Sequence, residues 1–416
     1  MKLKFLGGVE EVGKLGMLLH EDNVNLLFDY GMAADKPPTY PLPAPKPDMV
    51  FLTHSHLDHC GMLPWIAKNY GTEIIATPPT VKVTELLVRD SIKIAKAEGY
   101  PEVYNENDID ELMNNFTTMS YTEVMDIGPL EVSPYPAGHI PGAAMYEIYG
   151  DSTTVFTGDI HTCNMRLVKG AKPVKCDNLI IEGTYSGRNH PDRKKTEREL
   201  IESVKETVEN GGKAIIPCFA VGRTQEVMMI LKNLKYNMWV DGMGKSISKI
   251  YKTFPGYIRS EHDLKESRRR FSEVTYSRDR KQARAEAQVI VATGGMLDGG
   301  PVQTYINDVK NDPHSSILLT GFQVETSNGY NLLNNRTMNI QLARDQPEQT
   351  IKVKCNLKKF DLSAHAGQDD LIKFVEGCDP ENVVIMHSDD REPFAKELRD
   401  RNFNVILPKT NEEFEL

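Results

Sequence analysis

Apolar residues recur along this chain in two rhythms, and the change of rhythm divides it. Near the N-terminus, Leu3–Leu6, Met17–His20, Asn25–Asp29 and Met49–Leu52 are short apolar or alternating runs bounded by Gly, Pro or Asn. Such runs predict strands. Pro37–Pro47 is proline-rich and predicts a loop. Gly61–Tyr70 has helical spacing, Pro79–Glu98 predicts a longer helix, and Leu130–Ala137, Ala143–Tyr149 and Thr153–Phe156 return to the strand pattern. From Lys194 to Leu319 the texture alternates. Helices are expected at Lys194–Asn210 and Arg223–Lys235, and strands at Lys213–Pro217, Met238–Asp241, Gln288–Ala292 and Ser316–Leu319. That alternation is the mark of βαβ units and a largely parallel sheet. Strands then return at Thr350–Cys355, Asn382–Met386 and Asn404–Leu407, with helices at Asp369–Val375 and Pro393–Arg401. The economical organisation is one β-rich domain, residues 1–190 and 349–416, split by an inserted α/β domain at 191–348.

Composition narrows the class without choosing a function. The 416 residues are 40% hydrophobic and 26% charged, as in soluble globular proteins. A net charge of -10 excludes an all-over basic coat but leaves room for a local basic groove. The six cysteines (Cys60, Cys163, Cys176, Cys218, Cys355, Cys378) form no C-x-x-C pair, which fits a reducing cytoplasm and argues against cysteine-held metal. Cys60, beside His59, is expected to pack rather than ligate. No run approaches the roughly 18 apolar residues of a membrane span. The opening residues are too soon broken by glycine for a signal peptide. A cytoplasmic protein is expected.

The chemistry concentrates in His54-Ser55-His56-Leu57-Asp58-His59, immediately after the strand-like Met49–Leu52. Three imidazoles and a carboxylate crowd together comfortably only when a metal neutralises and orients them. In H-x-H-x-D-H, residues i and i+2 can face one ion and i+4 and i+5 another, so two metals are expected. His54 and His56 would serve the first, Asp58 and His59 the second. His139 and Asp159 also end strand-like runs and are candidates for the missing ligands. His20, His161, His190, His262 and His314 lack such a setting and are expected to be surface or structural histidines.

The pattern resembles the metallo-β-lactamase superfamily, an αββα sandwich whose site is built from an early aspartate, H-x-H-x-D-H, a histidine and a bridging aspartate. Here these are Asp29, the 54–59 cluster, His139 and Asp159. A diiron branch of the superfamily has glutamate where this chain has His56, which favours zinc and hydrolysis. The second half is similar to the β-CASP group: Ile180-Ile181-Glu182-Gly183-Thr184-Tyr185, then Phe219–Glu226 and Gly294–Pro301, then Leu362-Ser363-Ala364-His365-Ala366, then Val384-Ile385-Met386-His387. One departure is Ser388, where glycine usually follows the third-motif histidine. The backbone beyond His387 is therefore expected to be placed differently.

The resemblance implies a nuclease with two zinc ions, Asp159 bridging them and His387 completing the second. Two metals about 3.5–4 Å apart hold a hydroxide and polarise phosphate oxygens. His365 would protonate the departing ribose oxygen, Glu182 would hold it as imidazolium, and Asp58 counts among the catalytic residues as well as the ligands. Asp29 would orient ligands rather than bind metal. Cleavage would leave a 5′-phosphate and a 3′-hydroxyl. Single-stranded RNA is the expected partner. Ser363, Gly295 in its glycine-rich turn and Arg223 at a helix start are candidate contacts. Lys265–Arg284, basic with Phe271 and Tyr276 interleaved, suits either a single strand or a solvated helix face. The chain looks nearest to archaeal ribonuclease J, or to archaeal relatives of the pre-mRNA cleavage endonuclease, toward which Ser363-Ala364-His365 leans. It is expected to lack the extra terminal domains of larger relatives. A 5′-to-3′ exonuclease is the leading expectation. An endonuclease of mRNA 3′-end processing and a non-catalytic scaffold are the alternatives. The Asn404–Leu407 strand suggests a homodimer by analogy.

Overall fold

Short strands in the first part of the chain assemble into two sheets because each carries an apolar inner face. In the computed structural model, which describes residues 1–342 and 347–416, one sheet runs in the order Glu413–Glu415, Lys2–Gly7, Gly16–Glu21, Val24–Phe28, Met49–Phe51, Ile74–Ala76, Phe116–Thr118. The other runs Asn404–Ile406, Asn382–Met386, Asn178–Glu182, Thr153–Phe156, Ala144–Tyr149, Leu130–Pro136, Met125–Ile127. Their facing side chains form one core, with Phe5, Phe28 and Phe51 from the first sheet packed with Tyr146, Phe156, Ile180 and Met386 from the second. The Phe28 ring lies 5.4 Å from Phe51 and 5.2 Å from Phe156. Burying each such ring contributes on the order of 1.5–3 kcal/mol. On the outer face of the first sheet, Leu27, Val50 and Leu52 pack with Leu63, Ile66, Val88 and Leu112 from helices Leu63–Tyr70, Pro78–Glu98 and Glu106–Asn115.

A separate core belongs to a fully parallel sheet, Phe271–Glu273, Met238–Asp241, Val289–Thr293, Ala214–Cys218, Ser316–Leu319, Asn356–Lys359. Its four inner strands are buried along their length and read as near-continuous apolar runs because both faces are covered. The chain thus forms two compact units, one of Met1–Asn164, Lys169–Asn189 and His365–Leu416, the other of Met165–Val168 and His190–Ala364. The α/β class and the two-sheet sandwich interrupted by an α/β insertion are as expected. The compact second unit extends past residue 348, because Asn356–Lys359 is its edge strand. Among the described residues no helix is long and apolar enough to cross a membrane.

The four-residue excursion Met165–Val168 joins the second unit through Glu226. That buried carboxylate accepts the backbone N–H of Arg166 at 2.9 Å and of Leu167 at 2.8 Å, and pairs with Arg193 at 2.8 Å. Much of the Phe219–Glu226 motif is therefore internal scaffolding. Thr224 donates to the Phe219 carbonyl and Gln225 to the Gly244 carbonyl.

Candidate metal centre

The centre forms where strands of both sheets end. Val24–Phe28 pairs in parallel with Met49–Phe51, and Thr153–Phe156 with Asn178–Glu182, which pairs in parallel with Asn382–Met386. Parallel pairing brings Asp29 beside Thr53 and His54, and brings Asp159, Glu182 and His387 to one edge. His139 follows the strand Leu130–Pro136. Asp29 adopts a left-handed conformation, φ 56°, which aspartate tolerates better than most residues. Its carboxylate accepts the Thr53 backbone N–H at 2.7 Å and the Thr53 hydroxyl at 2.8 Å.

The 54–59 segment turns into the short helix Leu57–Cys60, and its backbone is tied down on several sides. Leu15 N–H donates to the Asp58 carbonyl at 2.8 Å, Tyr30 N–H to that of His59 at 2.7 Å, and Met32 N–H to that of Leu57 at 2.8 Å. Gly31 permits this approach, since a Cβ there would lie 1.7 Å from the Asp58 carbonyl oxygen. Gly158, at φ 54°, performs the matching turn before Asp159. Cys60 is buried and donates to the Ser55 carbonyl at 3.1 Å, and burial pushes its thiol up, so it packs as expected.

The imidazoles converge into two histidine-rich groups. His54, His56, His139 and Asp159 can present one donor atom each to a common point, as can Asp58, His59 and His387, and Asp159, Glu182 and His365 form a third, smaller group. Asp159 faces both histidine-rich groups. Its Oδ2 lies 3.4 Å from His54 Nε2 and 3.7 Å from His139 Nε2, while its Oδ1 lies 3.4 Å from His59 Nε2 and 3.2 Å from His387 Nδ1. Asp58 Oδ2 is 3.6 Å from His387 Nε2. His59 Nδ1 meets Asp29 at 2.7 Å, which leaves Nε2 aimed at the cluster. His59 Nε2 and Asp159 Oδ1 are both buried and lack a hydrogen-bond partner. Buried polar atoms left in that state are costly, and a cation between them removes the cost. The donor set of nitrogen and carboxylate oxygen, without sulfur, suits zinc.

The electrostatics agree. Burial alone lowers the histidines, and it wins at His54 and at His56, which falls to about 4. At His59 and His387 the neighbouring carboxylates, Asp159 foremost, outweigh burial and hold the rings protonated, His387 rising to about 10. Burial would raise Asp159, but the imidazoliums His59 and His387 hold it well below the usual carboxylate range. A metal ion bound here would displace such protons.

Beside the cluster, His365 Nδ1 lies 3.0 Å from both oxygens of Glu182, and its Nε2 is 3.9 Å from Asp159 Oδ2. Glu182 is fully buried and also accepts the Ile160 N–H at 2.7 Å. Burial opposes the charged form of His365, yet Glu182 and then Asp159 raise its pKa. His161, expected to be structural, is buried, with its Nδ1 2.9 Å from the His365 carbonyl. His387 itself carries the left-handed backbone, φ 52°, and Ser388 does not. Serine after His387 therefore costs the turn nothing.

Sequence reasoning missed Thr53, whose hydroxyl bonds Asp29 and lies 3.0 Å from His54 Nδ1. Its only signal was its place between strand and motif. The three candidate RNA contacts lie in the second unit. Arg223 is buried and donates to the Thr320 carbonyl, so its guanidinium serves the fold rather than an exposed contact. Gly295 packs against the Phe219 ring. Ser363 is buried, its carbonyl accepting Arg193 at 3.1 Å. In the basic 265–284 segment, Phe271 is buried, and Arg268, Arg280 and Arg284 pair with Glu273, Asp241 and Asp308. Much of that charge is spent internally, so the solvated-helix alternative describes it better.

Three family descriptions match in order along the chain. They are a metallo-beta-lactamase superfamily domain over residues 18–171, a Beta-Casp domain over 224–332, and a Zn-dependent metallo-hydrolase RNA specificity domain over 350–408. "Probable RNase MJ4" of Methanocaldococcus jannaschii is 32% identical, the alignment covering 100% of both chains. The chain belongs to the β-CASP group of the metallo-β-lactamase superfamily. As a β-CASP protein it is an enzyme of the zinc-dependent metallo-hydrolase class. "RNase aCSPSF2" of Saccharolobus solfataricus is 32% identical over 100% of this chain and 85% of the relative. "Transcription termination factor FttA" of Pyrococcus horikoshii is 31% identical over 94% of this chain and 66% of the relative. A crystal structure of a protein of unknown function from Enterococcus faecalis V583 shares the fold, with a TM-score of 0.64 at 14% identity, covering 100% of this chain and 99% of that one.

Proposed function

We propose that this β-CASP protein is a ribonuclease that hydrolyses single-stranded RNA with two zinc ions in the 54–59 centre, acting in the cytoplasm. His54, His56, His139 and Asp159 would hold one ion. Asp58, His59, His387 and the other oxygen of Asp159 would hold the second. The observation that carries this reading is the division of the Asp159 carboxylate between two sets of imidazoles. Bound zinc supplies Lewis acidity, which lowers the pKa of water and offsets phosphate charge. The chain's own groups do the rest. Asp29 and Thr53 orient His59 and His54. Glu182 fixes His365 through Nδ1, which turns Nε2 toward the cluster to protonate the leaving ribose oxygen. The products would be a 5′-phosphate and a 3′-hydroxyl. The complete donor set argues against a non-catalytic scaffold. A homodimer through the edge strand Asn404–Ile406 is part of the proposal.

Glu182 has a signed consequence. Its charge favours imidazolium at His365, and a general acid must carry its proton to act. Glu182→Gln is therefore expected to lower the His365 pKa and move the alkaline limb of the kcat/KM profile to lower pH. A profile measured at fixed zinc whose alkaline limb stays in place would remove the pairing from the mechanism.

A 5′-to-3′ exonuclease is the first expectation for direction. Relatives named as transcription termination factors, matched over 94% of this chain, favour endonucleolytic cutting as the second. One RNA prepared with a 5′-monophosphate, with a 5′-triphosphate or as a closed circle separates them. Mononucleotides from the monophosphate form and an intact circle are expected. Cleavage of the circle would transfer the assignment to the endonuclease.

A further inference from the structure

We infer that Arg188 is a phosphate-binding residue that positions the RNA strand beside His365, with Tyr185 as the plate that holds its guanidinium; this rests on the ribonuclease reading above. The turn that follows the strand Asn178–Glu182 is fixed to the segment that follows His365. Gln368 N–H donates to the Arg188 carbonyl at 2.9 Å, Asp369 N–H donates to Asn189 Oδ1 at 2.9 Å, and Gly187 N–H donates to the Gln368 side chain. These bonds anchor the backbone of Arg188 to the start of the helix Gln368–Cys378, immediately beyond His365.

The side chain is held as firmly. The Tyr185 ring lies 6.1 Å from the His365 ring, and the Arg188 guanidinium lies 5.0 Å over Tyr185. Arg188 Nη2 donates to the Thr184 carbonyl at 2.9 Å. Arg188 is exposed, whereas Tyr185 is half-buried. A pre-oriented, exposed guanidinium one aromatic ring removed from the proposed general acid matches a substrate that carries a phosphate on every nucleotide. Arginine preorganised in this way loses little freedom on binding an anion. The contact would fall on a phosphate neighbouring the one that reacts, so Arg188 is a positioning residue.

The test measures the affinity for single-stranded RNA as a function of salt in zinc-loaded His365→Ala protein, which keeps the RNA intact. Adding Arg188→Ala is expected to weaken binding about tenfold and to make the slope of log Kd against log salt shallower by about 0.7, the loss of one phosphate contact on a single strand. Arg188→Lys, which keeps the charge, is expected to restore the slope. In protein that keeps His365, the Arg188→Ala effect should fall on KM rather than kcat. An unchanged slope in Arg188→Ala, beside a cleaving wild type, overturns the inference and leaves the ribonuclease reading standing. A wild type that does not cut RNA overturns that reading and the inference together.

Discussion

Replacing His365 by alanine is expected to leave zinc content unchanged and to reduce RNA turnover about a thousandfold, within the range general-acid catalysis contributes. The expectation follows from how the ring is held. Nδ1 is taken by both oxygens of Glu182, so only Nε2 can exchange a proton with substrate. That atom stands 3.9 Å from the nearer Asp159 oxygen, close enough to serve the reacting group. Glu182 and then Asp159 raise the pKa of the ring against burial, which favours its charged form and disfavours metal coordination. A thousandfold loss is about 4 kcal/mol of transition-state stabilisation. Zinc per chain and the cleavage rate should be measured on the same preparation. If metal and activity vanish together, His365 is a ligand and the acid must be sought elsewhere.

The site was legible in the sequence to the extent that its chemistry is compressed into residue types with few other uses. Three histidines and an aspartate within 54–59 have little reason to crowd except a metal, and the glycines before His139 and Asp159 mark the turns that deliver them. Thr53 was not legible, because a threonine at a strand end is common and its role exists only once Asp29 has folded beside it. The polar helix Glu106–Asn115 escaped pattern reading for a related reason. Its apolar stripe is narrow, and its real signal is the capping box of Asn105 and Asp108. The terminal strand Glu413–Glu415 was hidden because an edge strand needs only Phe414 on its inner face. Arg223 shows the opposite error. A basic residue at a glycine-capped helix start looks like an anion site, but the helix start is buried and the charge is spent on the Thr320 carbonyl. Local sequence shows which groups could meet a ligand. Burial decides which of them can.

Asp159 carries the largest expected effect. Asp159→Ala should lose RNA cleavage altogether and retain less than one zinc per chain after dialysis, whereas each flanking histidine variant should cost a single ion position. The carboxylate addresses both groups of imidazoles through separate oxygens, so its removal is expected to weaken both positions. Its charge is also the foremost of those that raise the His59 and His387 pKa against burial. Thermal unfolding provides a second readout. A ligand that binds only the folded state raises stability with its concentration, so added zinc should raise the Tm of the wild type and of His365→Ala and leave that of Asp159→Ala nearly unmoved. Asp159→Asn keeps the shape and one oxygen but not the charge, and should behave like alanine, because a neutral amide bridges two dications poorly. If Asp159→Ala still bound two equivalents of zinc, the bridge would be wrong and the two groups of ligands would have to be independent sites.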